Sequence, residues 1–263
     1  MEPQLAFCTH LTRSYETAAK LAAKNGMTAV EHSFTLKTMP FLKEETQRIK
    51  ELLGQQSEIR YHAVFNQDDI GAADIKRSRA SLMRFMEAVR LVGEAGGWFL
   101  TIHVDLKSEG DPDWIYDNAS SNLKELVEFG NENGVIICVE NLRSGLTSKP
   151  DQLKRLIEHA EASVTLDLGH AAGPRGIEKN PEDVLDFQIE LSSFIVNAHI
   201  YGTEDKNGHE PPKKIEALEP VLNGLMMTDC DWWTIELGHP DDLDRIHRYI
   251  RDYFDRLKVI ENQ

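Results

Sequence analysis

The sequence predicts a (β/α)8 TIM barrel, a parallel eight-stranded barrel wrapped by helices, and three observations carry that expectation. Eight short runs rich in Val, Ile, Phe, Trp and Thr alternate with longer stretches of helical periodicity. Strand-helix alternation implies a parallel sheet, and no Pro/Gly/Ser-rich spacer or change in composition divides the chain. The length, 263 residues, fits one such barrel, so residues 1–263 are read as a single domain.

In chain order the expected strands are Leu5–His10, Thr28–Phe34, Ile59–Val64, Trp98–Asp105, Gly134–Asn141, Ser163–His170, Phe194–Gly202 and Asp231–Gly238. Between them the apolar spacing is helical. Leu82, Phe85, Met86 and Val89 form one stripe, Leu123, Leu126 and Val127 a second, and Leu243, Ile246, Ile250, Tyr253 and Leu257 a third. These side chains are core, with no chemistry assigned. Lys76-Arg77-Ser78-Arg79 reads as a helix start with a solvated face. Asn180-Pro181, Lys149-Pro150 and His239-Pro240, each followed by acids, mark helix N-termini. Gly26, Gly96, Gly97, Gly130 and Gly134 fall where helices should stop.

Composition narrows the function. Forty-four Asp and Glu against 29 Lys and Arg give a net charge of −15, which repels a phosphate backbone unless a local patch opposes it. Cys8, Cys138 and Cys230 are odd in number and form no CxxC pair, so reduced, buried thiols in a cytoplasmic protein are expected. The start, Met1-Glu2-Pro3-Gln4, shows no signal-peptide pattern, and no run is apolar enough to span a membrane. GxGxxG, P-loop and GxSxG motifs are absent.

The chemistry sits at strand ends. In a parallel barrel all C-terminal strand ends open at one mouth. Glu140 ends the fifth apolar run, Asp167 the sixth, His199 the seventh and Glu236 the eighth. Thr165 with Asp167, Asn197 with His199 and Thr234 with Glu236 share one strand phase, while the opposite phase is apolar. A lone Glu at a strand end is ordinarily a solvated loop residue, and a lone His a satisfied core residue. Four in phase on consecutive strands are not explained that way. Converging carboxylates need a counter-charge, and a divalent metal supplies it: Mn2+, Mg2+, Co2+ or Zn2+ suits three carboxylates and an imidazole.

Of ten histidines, His159 and His247 alone lie on expected helices. His62 and His103 read as inward-facing, candidates for substrate or for further metals. His170, three after Asp167, is a candidate ligand, partner of a ligand or substrate contact. His209 lies in the long irregular stretch Gly202–Pro212, expected to cover the mouth with His209 pointing inward. His10, His32 and His239 carry the weakest case.

Tyr61-His62-Ala63, Ile102-His103-Val104, Cys138-Val139-Glu140-Asn141, Leu166-Asp167-Leu168-Gly169-His170, Asn197-Ala198-His199 and Ile235-Glu236 together resemble the xylose isomerase-like barrel superfamily, along nearly the whole chain. That superfamily contains sugar isomerases and epimerases and the endonuclease IV group. The resemblance to the epimerases implies one metal held by Glu140, Asp167, His199 and Glu236, with Glu140 and Glu236 as acid and base through a metal-stabilised cis-enediolate. Two positions depart from the ketose 3-epimerases: Leu146 stands where they carry Glu, and Asp205 where they carry Arg. Arg143 is a candidate contact for an anionic substrate. The resemblance to endonuclease IV implies a zinc-dependent abasic-site phosphodiesterase, with ligand positions at His62, His103, Glu140, Asp167, His170, His199, His209 and Glu236, and Asn207 in place of an Asp. A non-catalytic binding barrel is the third reading. Charge favours a small-molecule substrate, a sugar, over nucleic acid, because Asp68-Asp69, Glu109–Asp113, Glu204-Asp205 and Asp241-Asp242 are expected on mouth-side loops. No membrane partner is expected, and a homo-oligomer is left open.

Overall fold

The structure is a computed structural model that describes residues 2–12, 14–65, 68–104, 112–206 and 208–261, with 112–115, 260 and 261 described by backbone alone. Asp105, Asn207 and most of the acidic stretch 109–113 fall outside the described residues.

Eight parallel strands close into a barrel: β1 (Gln4–Cys8), β2 (Ala29–Phe34), β3 (Glu58–Ala63), β4 (Phe99–His103), β5 (Ile136–Glu140), β6 (Ser163–Asp167), β7 (Ile195–Ile200) and, after a hairpin, β10 (Trp232–Ile235). The circuit closes where β1 pairs with β10, Phe7 opposite Ile235. The expected strands are all present, each within a few residues of its expected span. Helices fill the intervals: α1 (Tyr15–Asn25), α2 (Leu42–Leu53), α3 (Ile75–Glu94), α4 (Pro112–Glu132), α5 (Pro150–Ala160), α6 (Leu168–Ala171), α7 (Pro181–Glu190), α8 (Glu219–Leu225) and α9 (Leu243–Glu261). The basic run does open α3, where Asp74 caps by accepting from the backbone of Lys76 and Arg77. No described helix is long and apolar enough to cross a membrane.

Alternation sorts each strand. Val164, Leu166, Ala198, Ile200, Trp233 and Ile235 are buried against the helix layer. The stripes Leu82/Phe85/Val89, Leu123/Leu126/Val127 and Leu243/Ile246/Ile250/Tyr253 meet them from outside. The opposite phase fills the interior in tiers. At the bottom the Arg60 guanidinium lies 3.9 Å over the Phe99 ring and 4.5 Å over Trp232, donating to Val196 O at 2.7 Å and to Asp231 Oδ1 at 3.0 Å. Above it Thr101 Oγ1 and Thr165 Oγ1 are 2.8 Å apart, and Asn197 Nδ2 reaches both. The mouth forms the top tier.

Three expectations are corrected. The sixth strand stops at Asp167 instead of running to His170, because the Asp167 carboxylate accepts from His170 N at 2.7 Å and caps the short helix α6. The stretch after β7 is ordered in part: β8 (Thr203–Asp205) and β9 (Gly208–Glu210) form an antiparallel hairpin. Asp68 and Asp69 do lie on the loop after β3, but their carboxylates are turned inward and engaged, so they add no open acidic surface there. Both are buried; Asp68 Oδ1 accepts from Ser81 Oγ at 3.0 Å and from Arg84 Nε at 2.6 Å, and Asp69 Oδ1 from Gly71 N at 2.8 Å.

Candidate metal centre at the barrel mouth

Register brings the expected ligands together. Asp167 on β6 stands opposite His199 on β7, His103 on β4 opposite Glu140 on β5, and β10 delivers Glu236 just past its last residue. Asp167 and His199 are fully buried, and Glu140 and Glu236 nearly so, at 2% and 3% exposed. His199 Nδ1 lies 2.9 Å from Glu236 Oε2 and 3.7 Å from both Glu140 Oε2 and Asp167 Oδ2.

These four atoms, Glu140 Oε2, Asp167 Oδ2, His199 Nδ1 and Glu236 Oε2, are each buried without a hydrogen-bond partner. Buried polar atoms are satisfied in more than nine cases in ten, and an unpaired buried ion costs several kcal/mol. Four lone-pair donors from four successive barrel strands, converging with only one another and the neighbouring imidazoles as ion-pair partners, fit a divalent cation. Their hard, oxygen-rich chemistry suits Mn2+, Mg2+, Co2+ or Zn2+.

The imidazole is aimed from behind. His199 Nε2 lies 3.0 and 3.1 Å from the two oxygens of Glu31 on β2, a carboxylate with no solvent exposure. In the neutral ring a proton on Nε2 would be donated there, leaving the Nδ1 lone pair to face the three other carboxylates. This is the arrangement by which a carboxylate fixes a metal-binding histidine. Asn197 Nδ2 also donates to Glu31, at 3.0 Å.

The other histidines gather beside this centre. His62 Nε2 and His103 Nε2 each lie 3.2 Å from Glu140 Oε2 and 2.9 Å from one another. His170 Nδ1 is 3.3 Å from Glu140 Oε1, and its Nε2 is 3.5 Å from Glu204 Oε2. His209 is carried inward by the hairpin, its Nδ1 3.7 Å from Glu236 Oε1 and its ring stacked 4.1 Å from Tyr201. Gly169 makes room for that stack, since a Cβ there would stand 2.1 Å from the Tyr201 ring. Arg143 lines the cavity, but Glu204 engages it at 2.9 Å. His32 faces the helices instead, between Thr9 and Glu45.

The electrostatics follow from this crowding. Burial pushes the Glu140 carboxyl up, but His103, His199 and His62 outweigh it and hold it well below its usual range. Burial likewise opposes Glu236 and Glu31, yet His199 pulls both down, Glu31 to about 2. The reverse holds for the imidazoles: burial lowers His170, while Asp167, Glu140 and Glu204 lift it to about 11. His199 is raised in the same way by Glu31, Glu236 and Glu140. Without metal, protons on the imidazoles balance the carboxylates.

Residues 19–258 match the xylose isomerase-like TIM barrel family. The chain belongs to that family. An uncharacterized protein of Methanocaldococcus jannaschii, MJ0008, is 29% identical over 200 residues, covering 76% of this chain and 82% of that one. A D-tagatose 3-epimerase-like protein shares the fold with a TM-score of 0.70 at 20% identity, covering 97% and 98% of the two chains. Endonuclease IV from Thermus thermophilus shares it with a TM-score of 0.65 at 18% identity, covering 97% and 100%.

Within this family barrel, sequence reasoning missed Glu31 and underweighted Cys8 and His10. Glu31 is preceded by Val30 and followed by His32, so its strand shows no acid closing an apolar run. Its phase, shared with Ala29 and Ser33, was the available signal. Cys8 is buried and reduced as expected, yet it faces the mouth, with Sγ 2.8 Å from His10 Nδ1.

Proposed function

We propose that this protein is a divalent-metal-dependent isomerase or epimerase acting on a small hydroxy-carbonyl compound such as a sugar. The observation that carries this reading is the set of four buried donor atoms without hydrogen bonds on Glu140, Asp167, His199 and Glu236. Two of the four residues, Glu140 and Glu236, line a cavity of about 530 Å3, sized for a small molecule. A bound divalent ion would polarise the carbonyl and the neighbouring hydroxyl of the substrate.

The side chains do the rest. Glu140 and Glu236 both line the cavity. One takes the proton from the carbon beside the carbonyl and the other returns a proton, so that a stereocentre inverts or the carbonyl migrates. His62, His103 and His170 offer hydrogen bonds to substrate hydroxyls, while Phe34, Val64, Phe65 and Leu142 supply an apolar wall that limits water. Among the described residues the cavity presents one guanidinium, Arg143, and Glu204 already pairs with it. That arrangement fits a neutral substrate better than a run of phosphates.

The extra imidazoles favour a second reading, a zinc-dependent phosphodiesterase of the endonuclease IV kind. His62, His103 and Glu140 form one further candidate cluster, and His170, Glu204 and His209 another. A paired assay separates the two. Metal-loaded protein is incubated with a panel of ketoses in deuterated water, and separately with an abasic-site duplex. Deuterium exchange into a sugar is expected, abolished in Glu236→Gln. Strand cleavage at catalytic protein levels with no exchange into any sugar overturns the proposal in favour of the phosphodiesterase.

A further inference from the structure

Beside the four-ligand centre, on the β1 side, lies a group of different character. Cys8 ends β1, which neighbours β10 on one side and β2 on the other. Its side chain enters the mouth, where Sγ sits 2.8 Å from His10 Nδ1 and 2.9 Å from Ser33 Oγ. His10 Nε2 in turn faces Glu236 Oε1 at 3.9 Å. One ligand-capable atom from each of Cys8, His10 and Glu236 lies within 4.8 Å of the other two.

We propose that Cys8, His10 and the outer oxygen of Glu236 form a second cation site, selective for a thiophilic divalent ion of the zinc class. The proposal rests on the reading that the four-ligand centre holds a metal, with Glu236 bridging the two ions. Three observations carry it. First, the three groups are close enough to converge: one ligand atom from each lies within 4.8 Å of the others, and zinc-sulfur bonds of about 2.3 Å and zinc-nitrogen bonds of about 2.0 Å bring ligand atoms to roughly 3 to 4 Å with a small adjustment. His10 is 40% exposed on its side chain, so it can turn to complete the set. Second, Glu236 is nearly fully buried, and its Oε1 meets His10 and His209 only at 3.9 and 3.7 Å, too far for hydrogen bonds. Its two oxygens thus point to two places, Oε2 to the four-ligand centre and Oε1 to the Cys8 side. Third, the charge leaves room for more than one cation. Glu31, Glu140, Asp167 and Glu236 are four buried carboxylates whose ion-pair partners among the described residues are all histidines. A single divalent ion offsets two of those four charges, and the rest fall to protonated imidazoles, whose place a second cation can take. His10, Ser33 and Glu236 line the cavity, so the site has an entry path.

A thiolate discriminates among metals. It binds zinc and cobalt far better than magnesium or manganese, which the oxygen-rich centre accepts. The mouth would therefore hold two unlike positions, one hard and one soft, joined by a carboxylate.

The experiment titrates metal-stripped full-length protein with Co2+. The wild type should bind at least two equivalents and show an intense near-ultraviolet sulfur-to-cobalt charge-transfer band beside weaker visible bands. Cys8→Ser should lose the charge-transfer band and one equivalent while keeping the visible bands. Cys138→Ser should keep both. His10→Ala leaves the thiol in place and should weaken the sulfur-ligated equivalent by at least about 10-fold, the loss typical of removing even an outer partner. It also decides the matter should Cys8→Ser fail to fold. Visible bands without any Cys8-dependent charge transfer would overturn this proposal alone, leaving Cys8 as a thiol hydrogen-bonded to Ser33. No cobalt binding at all would overturn the four-ligand centre as well.

Discussion

The two ends of the barrel handle buried charge in opposite ways. At the bottom, Arg60 is 5% exposed, and its guanidinium is enclosed by Phe99 and Trp232 and donates to Val196 O and Asp231. At the mouth, Glu140, Asp167, His199 and Glu236 are buried as deeply, but each keeps an atom that makes no hydrogen bond and meets only ion-pair partners. The same closed sheet supports both, so the difference is not one of packing quality. The bottom is a finished structural joint. The mouth gathers acids and imidazoles whose charge and donor preferences fit a cation, as proposed above.

That contrast can be broken at several points. The largest effect is expected from Glu140→Gln or Glu236→Gln, which on the proposed function remove a ligand charge and an acid/base group together. Turnover should fall by about 10²- to 10⁴-fold or more, measured as exchange or product formation with metal in excess. Retention of full activity in either variant would dissolve the distinction between the two ends. At the bottom, Arg60→Ala should cost about 3 kcal/mol of stability, because it opens a void against Trp232 and Phe99 and strands the Val196 carbonyl. A denaturant melt reads that loss, while metal content and kcat should stay near wild type. A fall in metal content matching the mouth variants would mean that the tiers are coupled. The smallest effect is expected from Glu31→Gln, which keeps the shape but allows the His199 ring to lose its fixed tautomer. Metal affinity should fall by about 10- to 100-fold with little change in the melting temperature of the metal-free protein. Unchanged affinity by calorimetry would reduce Glu31 to a packing residue.

The sequence made the mouth legible unevenly, and for physical reasons. Glu140, Asp167 and Glu236 stood out because each ends an apolar strand, where a charge has no local reason to be. His199 followed from sharing a phase with Asn197. Glu31 did not stand out, because its strand mixes polar and apolar residues on both faces. Its meaning depends on reaching across the barrel to β7, which no local pattern records. His170 was near its expected place but on the wrong element, since whether Asp167 ends a strand or caps a helix depends on where the chain turns next. Cys8 illustrates a different limit. Burial was readable from its apolar neighbours, but the face it turns to depends on the closure of β1 against β10.

The hairpin that carries His209 has a consequence for how the site is refreshed. It is pinned on both flanks, Gly202 N donating to Glu210 O at 2.8 Å and Gly238 N to His209 O at 2.7 Å, and its imidazole is stacked on Tyr201. These contacts hold His209 against the β7 and β10 side of the mouth. Among the described residues, Thr35 and Phe65 line the rim away from this hairpin, so a route for solvent, reactant and product would pass them. A bulky side chain at Thr35 would act on the rates of arrival and departure and leave the chemical step itself unchanged.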